Sequence, residues 1–296
     1  MLSIRSFSEL KKHLINNSKA KKMVVVNPVD SHSINAVVAA AASGIVEPIL
    51  IGNISDMHIK GKNLPFRMID CSDLSLASSM AVEMLKNDEA DILMKGMVNT
   101  DVVLRAVLNK EKGIVPYGNV VTFIAAMEIP TYPRLLFVTD PAVIPAPNLR
   151  QRTTMIQYAI GMAHQFGIKK PKVALIHGTE KKNMKLPFMA DYIAILEQNR
   201  LGAFGDAVID GPLDLFLALD KELGAIKNVQ TPVLGEADIL IFPGFDSANI
   251  FYKSMMTFAG AQMGGILFGT EKPVVLTSRS DSEVSKFNSI ALACLM

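Results

Sequence analysis

The chain has 296 residues, half of them hydrophobic, and a formal net charge of +2. This is enough material for two cores, and the near-neutral balance argues against nucleic acid as a partner. Its lysine patches (Lys19, Lys21, Lys22; Lys181, Lys182, Lys185) are short, and with no Trp and five Tyr it has little with which to stack bases. No apolar run approaches the ~18 residues of a membrane span. Met1-Leu2-Ser3-Ile4-Arg5, continuing to Glu9, Lys11 and Lys12, lacks the apolar block of a secretory signal, so a cytoplasmic protein is expected. Cys71 and Cys294 are too few for a disulfide framework or a metal knuckle.

In chain order, short apolar runs alternate with segments of helical period, the pattern of parallel sheets covered by helices and hence of the α/β class. A strand over 23–26 stops at Asn27-Pro28, and Asp30 is placed to cap a helix whose apolar stripe is Ile34, Val37, Val38, Ala41 and Ile45. A strand follows over 48–51. Ile92-Leu93-Met94 ends at Lys95-Gly96, after which Thr100 or Asp101 is expected to cap a helix carrying Val103, Leu104, Val107 and Leu108. Strands over 121–124 and 135–138 lead into a loop with Pro141, Pro145 and Pro147, a candidate domain boundary. Beyond it a helix is expected over 154–166 and strands over 173–176, 207–209 and 239–242. A last strand over 274–276 precedes a helix with Val284, Phe287, Ala291 and Cys294 on one face. This last pair is expected to return to the first domain, giving domains of 1–140 plus 275–296 and of 141–274.

Chemistry is most concentrated in Thr277-Ser278-Arg279-Ser280-Asp281. Ser280 and Glu283 have the spacing of a capping box, which would start a helix directly after Ser278 and Arg279 at a strand's carboxyl end. Free backbone N–H groups there favour an anion, and Arg279 would add a bidentate fork for phosphate. A well-capped surface helix with a solvated Arg explains the same residues. Lys95-Gly96 repeats the geometry, with glycine permitting close backbone approach, Lys95 a point charge, and Arg105 about a turn onward. Two ordinary surface cations are the plainer reading. Asp140 and Asp210-Gly211-Pro212-Leu213 follow strands, where aspartates commonly cap or turn the chain. The histidines (His13, His32, His58, His164, His177) lack metal-site spacing, and no Gly-x-Ser-x-Gly elbow or Walker loop occurs. His177 could line a cleft.

Taken in order, Leu93-Met94-Lys95-Gly96, Asp210-Gly211-Pro212-Leu213, Pro232 through Leu240, Asn249 with Lys253, and Pro273 through Asp281 resemble the phosphate acetyltransferase and phosphate butyryltransferase family, more closely its butyryl branch. The resemblance implies two α/β domains with a cleft between them, an architecture similar to isocitrate and isopropylmalate dehydrogenases, and a dimer or larger homo-oligomer. It implies the reaction of acyl-CoA with phosphate to give acyl phosphate and CoA, with coenzyme A as substrate and neither metal nor organic cofactor. Ser278 and Arg279 match the family's Ser-Arg pair, and Arg105 approximately matches an anion-binding Arg. Lys95, Gly96, Asp140, Asn249 and Lys253 fall where phosphate or CoA would bind. Asp281 is the carboxylate nearest the Ser-Arg pair, although its spacing differs from that of the acetyl branch's Asp.

Departures from the family pattern cluster in the middle of the chain. Ile144 stands for a usual Asn and Arg152 for a Lys. Met184 and Leu186 replace a usual Pro and Met, Phe216 and Leu217 replace Asp and Asn, and Ala248 replaces Gly. Such changes suffice to alter acyl preference, because one methylene in an apolar pocket is worth only ~1–3 kcal/mol. Direct transfer is preferred over an acyl-serine, since Ser278 has no evident histidine base. Asp281 and Asp140 are the candidate bases. The rival readings are a dehydrogenase of similar fold acting on a phosphate- or carboxylate-bearing substrate, and a non-catalytic binder of CoA or acyl phosphate.

Overall fold

A computed structural model describes residues 3–57 and 64–296. Met1, Leu2 and His58, which enter the sequence reading, lie outside the described residues. The chain divides into two compact units, one from Phe7–Val121 and Met263–Met296, the other from Thr122–Gln262 with residues 3–6. The expected boundaries were 140/141 and 274/275. The difference has a physical cause: the strands over 122–128 and 136–139 pair with one another and then with the strand at 239–241, so both belong with the inserted segment.

The outer segments open with α1 (Phe7–Asn17), β1 (Lys21–Val26), α2 (Ser31–Ala42), β2 (Val46–Gly52), α3 (Ile54–Met57), β3 (Arg67–Asp70), α4 (Leu74–Lys86), β4 (Ile92–Lys95) and α5 (Thr100–Val107). The inserted unit holds β5 (Thr122–Glu128), β6 (Leu136–Thr139), α6 (Leu149–Gln165), β7 (Lys172–Ile176), α7 (Pro187–Arg200), β8 (Val208–Leu213), α8 (Leu215–Leu219), α9 (Lys221–Ile226), β9 (Ile239–Ile241) and α10 (Phe245–Phe258). The chain then closes with β10 (Gln262–Phe268), β11 (Val274–Val275) and α11 (Glu283–Leu295).

In the outer unit the strands run in the order β3-β2-β1-β4-β11-β10. All neighbours are parallel except β10 and β11. The inserted unit orders its strands β5-β6-β9-β7-β8, parallel apart from β5 with β6. The two antiparallel pairs depart from the wholly parallel expectation because the connections at 129–135 and 269–273 are too short for a crossover. The core of the inserted unit gathers Leu136, Val138, Ala174, Leu217, Leu240 and Phe251 among others. Among the described residues no helix is long and apolar enough to cross a membrane.

Several local expectations hold and others shift. Asp30 caps α2 by accepting from Ser33 N at 2.8 Å. Ile34 and Val37 are buried as expected, whereas Val38 is exposed and Ile45 lies past the helix on the way into β2. The α5 helix starts after Asn99, whose side chain makes no capping bond and instead accepts from the Arg279 guanidinium. Val103 and Val107 are buried there, and Leu108 is exposed. Asn148 and Gln151 form a capping box that starts α6 at Leu149, earlier than the 154 expected.

Candidate active site

In the outer unit the strand order reverses at β1, whose following helix leads to β2 on one side while β4 lies on the other. Such switch points leave a crevice at the strands' carboxyl ends. Val26 and Lys95 lie in register there, as do Val275 and Met94. Gly96 is required by close approach. A Cβ at this position would sit 2.6 Å from Asn27 O and 2.7 Å from Val26 O, both backbone atoms. Gly96 N donates to Val26 O and Met97 N to Asn27 O, each at 2.8 Å, and Asn27 Nδ2 returns a bond of 2.8 Å to Met97 O. Asn27 adopts φ +52°, a left-handed conformation that Asn tolerates better than most residues. The Lys95-Gly96 turn is thereby stitched to the end of β1.

Ser278 and Arg279 are exposed on the turn after β11. Thr277 Oγ1 donates to Lys95 O at 3.4 Å, and the Arg279 guanidinium donates to Asn99 Oδ1, tying this turn to the one after β4. Ser278 N donates to Asp281 Oδ2 at 2.7 Å, and Ser278 Oγ lies 3.0 Å from Ser280 Oγ. The expected capping box at Ser280 and Glu283 is replaced by a cap at Ser282, which accepts from Ser285 N at 3.2 Å. The cause is local. Asp281 folds back onto the Ser278 amide, so the helix starts two residues later than the box would place it, and Val284 is exposed instead of joining the apolar face.

Lys95 is 2% exposed, and its ammonium donates to Gly96 O at 3.3 Å and Val98 O at 3.2 Å. It is a buried tie within its own turn, in contrast to the solvent-facing point charge the sequence suggests. Burial, followed by the like charges of Lys286 and Arg279, pushes it from 10.5 down to about 8. The unfolded chain therefore binds more protons between pH 8 and the ordinary lysine value, and stability rises with pH across that window. The measurable outcome is the stability of wild type relative to Lys95→Met. This difference should be flat below pH ~7 and should grow in favour of wild type above pH ~8, by on the order of 3 kcal/mol by pH ~10.5. A pH-independent difference in denaturant midpoints would contradict it.

Lys286 belongs to the site and escapes a pattern reading. It is 1% exposed, and its Nζ donates to Ser278 O at 3.0 Å. Burial lowers its proton affinity, while the nearby Asp30 and Asp281 charges oppose the shift. The available signal was the polar stripe Ser282, Ser285, Lys286, Ser289 at i, i+3, i+4, i+7, on a helix otherwise taken as apolar-faced. Asp30 adds a second oxygen, Oδ2, that is buried without a hydrogen-bond partner among the described residues. Arg105 is placed apart: it is exposed and pairs with Asp101 at 2.8 Å along the surface of α5.

Asp140, Asn249 and Lys253 belong to the inserted unit. Asp140 is 3% exposed, and its oxygens accept five bonds, from Thr122 Oγ1, Phe123 N, Ala142 N, Val143 N and Ile144 N. Burial pushes its carboxyl up while these donors pull it down. Asn249 Nδ2 donates to Pro141 O at 2.8 Å, holding the same loop, and Lys253 is exposed one turn further along α10. Arg152 is buried, bonded to Asp191, Phe242 O and Pro243 O. The segment Asp210-Gly211-Pro212-Leu213 lies within β8 and not after a strand. Beside it an open apolar cavity of about 640 Å³ is lined by Leu215, Phe216, Ile250, Phe251 and Met255, with His177 at its wall. Of the departures from the family pattern, Ile144, Leu217 and Ala248 are buried core, and Phe216 faces this cavity. Among the described residues no group of three or more His, Cys, Asp or Glu is placed to hold a metal ion.

The outer unit is thus an α/β scaffold that presents exposed Ser and Arg side chains beside a glycine-stitched switch point. The chain belongs to the phosphate acetyl/butaryl transferase family, whose model matches residues 71–294 and so spans both turns of the site. It is 37% identical to a phosphate butyryltransferase of Clostridium acetobutylicum, over 99% of this chain and 98% of the relative. It is 35% identical to a phosphate acetyltransferase of Thermotoga maritima, over 94% and 95% of the two chains. A branched-chain phosphotransacylase from Enterococcus faecalis V583 superposes with a TM-score of 0.80 at 29% identity, covering 92% of this chain and 98% of its own.

Proposed function

We propose that this chain transfers a short-chain acyl group between coenzyme A and inorganic phosphate, acyl-CoA plus phosphate giving acyl phosphate plus CoA. The observation that carries the reading is the exposed Ser278-Arg279 turn, anchored at the switch point, in a chain that matches the family across that turn. A phosphate oxygen attacks the thioester carbon, the C–S bond breaks, and CoA leaves as thiolate. In reverse, the thiol loses its proton, sulfur attacks the acyl carbon, and phosphate departs. Arg279 holds the phosphate oxygens with its fork, and Ser278 Oγ donates to the developing oxyanion. Transfer is direct, with no acyl-serine. Asp281, with an oxygen taken by Ser278 N, and Asp140, with five donors, are anchors in this reading and not free bases. The departing phosphate, itself basic near neutrality, takes up the thiol's proton.

Coenzyme A is a substrate, and the reaction consumes no oxidant. The two units correspond to the two domains of an isocitrate dehydrogenase-like architecture, and the working form is a cytoplasmic homo-oligomer. Lys95 and Gly96 shape the floor of the phosphate site, while Arg105 is available to a more distant phosphate of CoA. Family membership favours acyl transfer over the dehydrogenase and non-catalytic readings.

The test is phosphate-dependent thiol release from acetyl-, propionyl-, butyryl- and isobutyryl-CoA. Release from at least one of these is expected, with neighbouring chain lengths differing by ~10- to 200-fold in kcat/KM. A ping-pong pattern, or acyl label retained on Ser278, would overturn direct transfer.

A further inference from the structure

We propose that Lys286 is a positioning residue for the transfer step, fixing the peptide that joins Ser278 to Arg279. The inference rests on the acyl-transfer reading above. Each peptide unit is planar, so the course of the chain through Ser278 is set by the orientation of the two planes that meet at its Cα. The preceding plane carries Ser278 N–H, which Asp281 Oδ2 receives at 2.7 Å. The following plane carries Ser278 C=O, which Lys286 Nζ holds at 3.0 Å. With both planes held, only χ1 of Ser278 remains, and its hydroxyl is further restrained by Ser280 Oγ at 3.0 Å. Lys286 acts equally on Arg279, because the carbonyl it grips belongs to the peptide whose nitrogen is Arg279's.

Both anchors are buried, Lys286 at 1% and Asp281 at 9% exposure, whereas the side chains they aim are exposed. A buried ammonium is an expensive way to satisfy one carbonyl. Two carboxylates help to balance its charge: Asp281, and Asp30 at the cap of α2, whose buried Oδ2 has no hydrogen-bond partner among the described residues. Lys286 reaches Ser278 from the first turns of α11, which packs on α2. The aim of the turn is thus referred to a helix buried in the unit's core and not to the turn's own exposed atoms.

The experiment compares wild type, Lys286→Met and Lys286→Gln in phosphate-dependent CoA release from butyryl-CoA, alongside thermal melts. Methionine has similar length and burial without the donor. It should lower kcat by about 10- to 100-fold, the cost of misaiming a reacting group by about an ångström. The KM values for acyl-CoA and phosphate should change less than about threefold; the melting temperature should fall, because Asp30 and Asp281 lose a buried counter-charge, so kcat is compared per folded protein well below the melting transition. If Lys286→Met cannot be obtained folded, Lys286→Gln, whose shorter neutral amide fills similar space, is judged by the same criteria. A kcat within twofold of wild type in the folded variant overturns the proposal, as does a loss of activity fully accounted for by a lowered melting temperature. A wild type that releases no CoA overturns the functional reading and this one with it, whereas an active wild type with an indifferent Lys286→Met overturns this one alone.

Discussion

Arg279→Ala is expected to lower kcat/KM for phosphate-dependent CoA release by ~10² to 10⁴. A bidentate fork contributes two charge-assisted bonds of ~1.5–3 kcal/mol each to a phosphate whose charge changes in the transition state. Ser278→Ala should cost less, ~10², as for loss of one oxyanion donor. Neither substitution should unfold the protein, because both side chains are exposed and the Arg279 contact with Asn99 is a surface one. The measurement is steady-state thiol release with both substrates varied, beside a thermal melt. Melting temperatures within about 2 °C of wild type would assign any loss to the chemistry and not to the fold. Full activity in Arg279→Ala would remove the site from this turn.

The second large effect falls on stability. Asp140→Ala leaves Thr122 Oγ1 and the amides of Phe123, Ala142, Val143 and Ile144 without their acceptor, in a region where Thr122 and Ile144 are themselves buried. Each orphaned buried donor costs ~1–3 kcal/mol, with water recovering part of the sum, so a net loss of roughly 3–5 kcal/mol is expected. That corresponds to a fall in melting temperature on the order of 10 °C. Asp140→Asn keeps one acceptor oxygen and should lie between. A melt of Asp140→Ala superimposable on wild type would mean that the 140–144 loop is held by something other than this carboxylate.

Much of the sheet was legible because buried strands are uniform apolar runs: β1, β2, β4, β6, β7 and β9 all lie where Val, Ile and Leu cluster shortly before Gly, Asn or Pro, and β11 follows Pro273. Strands β3 and β10 were not assigned. β3 is short with a polar, half-exposed pattern, and the glycines Gly264 and Gly265 interrupt β10. Helices α1, α4, α7 and α10 carry mixed faces that pattern alone did not separate from loops. At the site, the Ser278-Arg279 turn and Gly96 were readable from residue type and spacing. The roles of Lys95, Asp140 and Lys286 were not, since a sequence lists a charge without saying whether it meets solvent. All three are buried and bonded to backbone, and Lys286 is a residue that no motif marked. Arg105 is the converse case: its spacing along a helix was readable, whereas its exposed pairing with the carboxylate four residues earlier was not.

The order in which the chain leaves the ribosome bears on when this turn can form. The inserted unit is nearly contiguous, whereas the outer unit is interrupted after Val121 and resumes at Met263. Until Val274 and Val275 emerge, β4 has β1 on one side and nothing to pair with on the other. A nascent outer unit therefore carries an open, largely apolar strand edge throughout synthesis of the insertion, a surface prone to pairing with other chains. The closing strand that covers this edge also delivers Ser278 and Arg279, so acquisition of the chemical groups and removal of the aggregation hazard are a single late event in the protein's biogenesis.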